Sequence, residues 1–88
     1  MKKEMFRVID MRATGQNIWR IMDEQGKNVR ELQYFFGFES PNAIYKWLHG
    51  DSLPSLDNLY ALAGFFRTTI DEILVPREKE TTLQIMDR

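Results

Sequence analysis

Cysteine is absent from the 88 residues, and histidine occurs once, at His49. The first absence excludes a disulfide scaffold and any thiolate metal site. The second excludes a His-rich zinc site. Long apolar runs are missing too. Met1 to Asp10 carries Lys2, Lys3, Glu4, Arg7 and Asp10, which leaves no run of about 7 apolar residues for a signal peptide. Nothing approaches the roughly 18 apolar residues of a membrane helix, so a soluble, cytoplasmic protein with no membrane partner is expected. Excess charge is lacking as well: 12 basic against 13 acidic side chains give a net charge of −1, which argues against a blanket nucleic-acid coat and leaves room only for a local basic patch. By segment, residues 1–13 hold 4 basic and 2 acidic side chains, 14–50 hold 4 and 4, 51–75 hold 1 and 4, and 76–88 hold 3 and 3. An anion-facing surface therefore belongs to the first half.

Glycine and proline are scarce, at 5 and 3, while 43% of residues are hydrophobic and 12% aromatic. That is a globular composition rather than a disordered one. A chain this short has room for one core, and folding hides only about 60 to 65% of the surface of so small a chain, so every large apolar side chain must contribute.

The few glycines and prolines punctuate short helices. Ile18, Ile21 and Met22 repeat at i, i+3, i+4 in a first helix starting near Thr14, with Gly26 as its C-terminal cap. Asn28-Val-Arg-Glu31 is an N-cap with an acid three residues on, followed by Val29, Leu32 and Phe36, and Gly37 ends this second helix. Ser40-Pro41 predicts the start of a third, a cap oxygen followed by a proline at the first helical position; Ile44, Trp47 and Leu48 form its apolar face and Gly50 stops it. Leu53-Pro54-Ser55 opens a fourth helix with Leu56, Leu59, Leu62, Ala63 and Phe66 on its stripe, and Thr69-Ile-Asp-Glu72 is a capping box for a short fifth. Period-2 alternation is confined to Phe6–Met11, too short to form a sheet alone. The expected architecture is all-α, a compact bundle of five short helices, with residues 1–13 as an N-terminal arm, 14–75 as the domain and 76–88 as a charged tail.

Helices two and three, joined through Gly37-Phe-Glu-Ser, carry the functional signal. In a helix-turn-helix the first helix braces against the DNA backbone, and the second lies in the major groove with its N-terminal residues at the base edges. At 100° per residue, Ile44, Trp47 and Leu48 point inward while Asn42, Lys46 and His49 point outward, flanked by Tyr45. Asn42 suits a bidentate contact to adenine, Lys46 a guanine or phosphate, and Tyr45 a phosphate or a thymine methyl.

Gly15-x-x-Ile18, Leu32, Gly37, Ile44-x-x-Trp47, Gly50, Leu53-Pro54-Ser55, Asn58-Leu59, Ala63 and Ile70-Asp71-x-x-Leu74 together resemble the phage-repressor or XRE-type helix-turn-helix domain over about Thr14 to Val75. The resemblance implies a lambda-repressor-like fold and sequence-specific binding of double-stranded DNA, usually as a homodimer, by a transcriptional regulator whose helix three spans about 40–49. The candidate DNA-binding residues are Asn28, Arg30, Ser40, Pro41, Asn42, Tyr45 and Lys46. Departures from the family pattern are Val29 where a glutamine often touches phosphate, Gln33 where a small alanine usually eases the helix crossing, Leu48 where a glutamate commonly follows the tryptophan, and a turn one residue longer. Val29 leaves the backbone anchor to Asn28 or Arg30, and Leu48 implies a wider apolar face on helix three.

The rival reading is a protein-interaction module, such as an antitoxin or adaptor, that uses the same fold to hold a protein partner. Acidic residues 51–75 and the spare rings of Phe35-Phe36 and Phe65-Phe66 favour it. One ring of each pair is expected to be buried, and the second to lie under the arm or in an interface. An enzyme is not expected, because His49 has no partner at matched spacing, and neither cofactor nor metal is implied.

Overall fold

A computed structural model describes residues 7–77. The basic residues Lys2 and Lys3 of the arm, and Leu83, Ile85 and Met86 of the tail, lie outside the described residues. Helix α1 spans Met11–Glu24 and starts at a cap that its apolar pattern does not reveal: Asp10 accepts a hydrogen bond from the Ala13 N–H at 2.9 Å. Its start precedes the expected Thr14 by three residues. Met11 and Arg12 are exposed, so the first turn adds nothing to the stripe by which the helix was read. Thr14, Gly15, Ile18, Ile21 and Met22 form the buried face, and Gly26, at φ 67°, turns the chain out of the helix just past the cap residue Gln25.

Helix α2, Val29–Phe36, carries the expected capping box in full: Asn28 Oδ1 accepts from the Glu31 N–H at 2.9 Å, and Glu31 Oε1 accepts from the Asn28 N–H at 2.8 Å. Helix α3, Asn42–His49, starts one residue later than Ser40-Pro41 predicts. Pro41 is itself the cap residue, its carbonyl accepting from the Tyr45 N–H at 3.0 Å, while Ser40 Oγ accepts from the Asn42 N–H at 3.3 Å. Helix α4, Leu56–Phe66, is capped by Ser55 and ends at Arg67, which adopts the left-handed conformation at φ 59°. Helix α5, Ile70–Ile73, is one turn long, and the Thr69 cap is one-sided among the described residues, with Oγ1 accepting from the Glu72 N–H at 3.2 Å.

All five helices feed one core, in which Ile18, Leu32, Ile44, Leu62, Phe66 and Ile73 are almost fully buried. Leu56 does not join it; the side chain expected on the α4 stripe is 73% exposed. Side chains lean toward the N-terminus of their helix, so at the first helical position Leu56 projects beyond the core that Leu59, Leu62, Ala63 and Phe66 cover.

Helix α3 is held against α1 at very short range, and two glycines explain why. A Cβ at Gly15 would overlap the carbonyl oxygen of Trp47 and lie 2.7 Å from that of Leu48. A Cβ at Gly50, which also ends α3 at φ 78°, would lie 2.7 Å from Cα of Arg12. Each glycine thus removes the side chain that would separate the two backbones. At the other side of α1 the described ends of the chain meet. Ile9 and Pro76 form an antiparallel bridge, with the Arg77 N–H donating to the Val8 carbonyl and the Asp10 N–H to that of Val75, both at 2.8 Å. Among the described residues the alternation of Phe6–Met11 yields no strand longer than this bridge. Thr14 Oγ1 accepts from the Val75 N–H at 3.0 Å, and Asn17 Nδ2 donates to the carbonyls of Glu72 and Ile73, both at 2.9 Å.

Candidate nucleic-acid interface

The turn between α2 and α3 is fixed from both sides. Gln33 brackets it twice: its backbone carbonyl accepts from the Phe38 N–H at 3.1 Å, and its side-chain amide donates to the Phe38 carbonyl at 3.2 Å. Gly37 at φ 73° permits the reversal. The Phe36 and Phe38 rings stack with centroids 4.9 Å apart, and both present edges to Trp47 at 5.6 and 6.1 Å. Aromatic packing of this kind adds about 0.5–1.5 kcal/mol per pair beyond the area buried. The position that a small residue usually occupies is thus filled here by a side chain that closes the turn.

This bracing sets which side of α3 faces out. Ile44, Trp47 and Leu48 are buried and Ala43 is half-buried, while Asn42, Tyr45, Lys46 and His49 are exposed. Leu48, only 8% exposed, gives α3 the wider apolar face inferred from the sequence. Tyr45 and His49, one turn apart, stack their rings at 6.0 Å. The outer face therefore offers an amide, a phenol, an ammonium and an imidazole in succession, each able to donate to an anionic or carbonyl oxygen.

The other candidates are placed as follows. Asn28 is exposed, but its Oδ1 and its backbone N–H are both engaged in the capping box, which leaves the side-chain NH₂ as its outward donor. Arg30 is exposed on the first turn of α2. Ser40 is exposed with its hydroxyl turned to the Asn42 N–H, and Pro41, half-buried, has no N–H to offer. Asn28, Arg30 and Tyr45 line one groove together, about 420 Å³ in volume, with Trp19 and Met22 from α1. Ser40, Pro41, Asn42 and Lys46 lie outside that groove.

Trp19 is the residue that sequence reasoning passed over. It is 54% exposed on α1, against 4% for Trp47, and lines a second groove with Gln16, Tyr45, Leu48 and His49. The signal was present: Trp19 falls beside the Ile18, Ile21 and Met22 stripe rather than on it. Of the two aromatic pairs, Phe66 is buried and Phe36 half-buried, while Phe35 is 45% exposed and Phe65 half-buried. Phe35 and Phe65 pack on each other at 4.6 Å, each also meets the ring of its neighbour, Phe36 at 5.1 Å and Phe66 at 5.5 Å, and the Lys27 ammonium sits 4.3 Å over the Phe65 ring.

Among the described residues no cluster of three or more His, Asp or Glu side chains could hold a metal ion, and no helix is long and apolar enough to cross a membrane. In comparisons with known proteins, a family model described as helix-turn-helix matches residues 19–73, more than half of the chain, from within α1 to the end of α5. No curated protein and no solved structure matches the chain.

Proposed function

We propose, from the premise that this chain belongs to the XRE-type helix-turn-helix family of DNA-binding transcription regulators, that α3 reads the major groove of a short operator and that the protein acts in the cytoplasm as a homodimer. The observation that carries this reading is the division of α3: a face of Ile44, Trp47 and Leu48 locked into the core, and an opposite face of Asn42, Tyr45, Lys46 and His49 open to solvent. Groove readers place such groups at the start of the second helix, where insertion is deepest. Asn42 stands in the first turn and takes base readout. Lys46, one turn on, takes a phosphate or guanine. Asn28 and Arg30, at the start of α2, supply contacts to the flanking strand, and Ser40 and Pro41 shape the approach to α3.

Selection of bound duplexes from a random-sequence pool, followed by two substitutions, tests the assignment. Asn42→Ala is expected to relax preference at one base position by about 1–3 kcal/mol. If Lys46 meets a phosphate, Lys46→Ala weakens all sequences alike and lowers the slope of log affinity against log salt by about one. If neither change alters DNA binding while the thermal melt is preserved, the protein-interaction reading takes its place. That second reading has its own support in Tyr34, Tyr60 and Leu56, exposed at 88%, 75% and 73%, and co-purification of a protein partner is its direct test.

A further inference from the structure

The two grooves beside α3 share two rings, Trp19 and Tyr45. One runs toward the start of α2, floored by Met22 and Val29 and rimmed by Lys27, Arg30 and Asp23. The other runs along α3, floored by Leu48 and rimmed by Gln16 and His49. Trp19 lies off the apolar stripe of its helix and is more than half exposed, so its bulk is spent outside the core. Its position ties it to the outer face of α3, since Tyr45 is itself part of that face.

The chemistry of the grooves selects their occupant. Apolar floors with hydrogen-bond donors along the rim match a chain that alternates the C–H faces of puckered sugar rings with anions, as deoxyribose and phosphate do. Trp19 Nε1 and the Tyr45 hydroxyl both donate, and Lys27 and Arg30 outweigh Asp23 by one charge. Lys27 is already turned to Phe65, its Nζ 3.3 Å from the Phe65 carbonyl and 4.3 Å from the ring centroid, so Arg30 is the cation that an apolar peptide would leave without a counterpart. We propose that Trp19 and Tyr45 form the seat for the sugar-phosphate strand bordering the major groove that α3 occupies, with Trp19 bringing α1 into the DNA interface. The proposal rests on the DNA-reading assignment and extends it to an element that assignment does not use. Contacts of this kind fix register and orientation but carry no base information, so Trp19 is a positioning residue.

The test titrates the full chain, Trp19→Ala and Trp19→Phe with the duplex recovered by selection and with a duplex of unrelated sequence. Trp19→Ala is expected to weaken both by about tenfold, with their affinity ratio unchanged. Trp19→Phe, which keeps a ring and loses the N–H, is expected to recover part of the loss. In the unsubstituted protein the duplex should shelter Trp19 from acrylamide quenching, the Trp19 signal being the one that Trp19→Phe removes. Thermal melts establish that each variant is folded. Unchanged affinity of Trp19→Ala together with undiminished quenching in the complex overturns the proposal. A loss confined to the selected duplex also overturns it, since Trp19 would then read bases. If the unsubstituted chain binds neither duplex, the DNA-reading assignment itself falls, and this inference with it.

Discussion

Gly15 sits inside α1, where alanine is the better helix former by about 1 kcal/mol. Tertiary contact decides the matter against alanine, because an added methyl meets backbone carbonyls of Trp47 and Leu48 that no change of rotamer can move aside. Overpacking a rigid contact costs about 1–3 kcal/mol and occasionally more. Gly15→Ala is therefore expected to be net destabilising by about 1 kcal/mol, a fall in Tm of roughly 4–8 °C for a domain of this size. A melt at or above that of the parent would show that α1 and α3 separate easily. At this scale the sequence is legible where the reason is local. Trp47 and Ile44 fall on one helical face by spacing alone, and both are buried. Trp19 and Arg67 are not legible in the same way. The exposure of one depends on where α2 and α3 pack, and the left-handed turn of the other occupies a position where glycine is the usual signal.

Helix α5 is too short to persist alone, because a single turn fixes several dihedral angles for one hydrogen bond. Its place is secured from α1, by burial of Ile73, by Thr14 Oγ1 on the Val75 N–H and by the two bonds from Asn17. Asn17→Ala removes two of these ties at a net cost of about 1 kcal/mol each. Amide exchange at residues 70–75 is expected to accelerate by a larger factor than exchange at Leu32 or Ile44; uniform acceleration across the domain would show that α5 does not open by itself. The five helices and their order were readable because capping residues and glycines act on partners within about a turn of themselves, as Asn28 does on Glu31 and Gly37 on Gln33 and Tyr34. The Asp10 start of α1 was obscured by exposed neighbours, and the outward Leu56 depends on where the core ends, which no period in the sequence records. In the candidate site, outward Asn42, Tyr45, Lys46 and His49 followed from helical spacing. The grooves did not, since each joins residues from separate helices.

For the molecule as a whole, near-neutral charge limits what one copy can do on DNA. A single module buries about 600–1,000 Å² of protein surface on its half-site, and much of its attraction comes from neutralised phosphates. With 12 basic side chains set against 13 acidic ones, a second copy is the natural source of further contacts. Two copies on half-sites one helical turn apart, about 34–36 Å, impose a pseudo-palindromic operator. Sedimentation of the full chain with its selected duplex, at saturating protein, should give two chains per duplex; a one-to-one complex on a non-repetitive site rejects the dimer.

The bridge between Ile9 and Pro76 also decides how the fold answers to mechanical tension. Residues 8 and 77 lie on adjacent antiparallel segments, so a pull that separates them works like the slider of a zipper. The bond from Arg77 to Val8 takes the strain first, the bond from Asp10 to Val75 next, and the Thr14 and Asn17 ties to α5 after that. Loaded singly, bonds with a net worth of about 1 kcal/mol each yield at small force. Force–extension traces with handles at residues 8 and 77 should accordingly show an early shoulder as α5 peels away, before the main rip. The crossing of α1 and α3 at Gly15 and Gly50 bears load only afterwards, and a single rip with no shoulder would mean that the two ends yield together with the core.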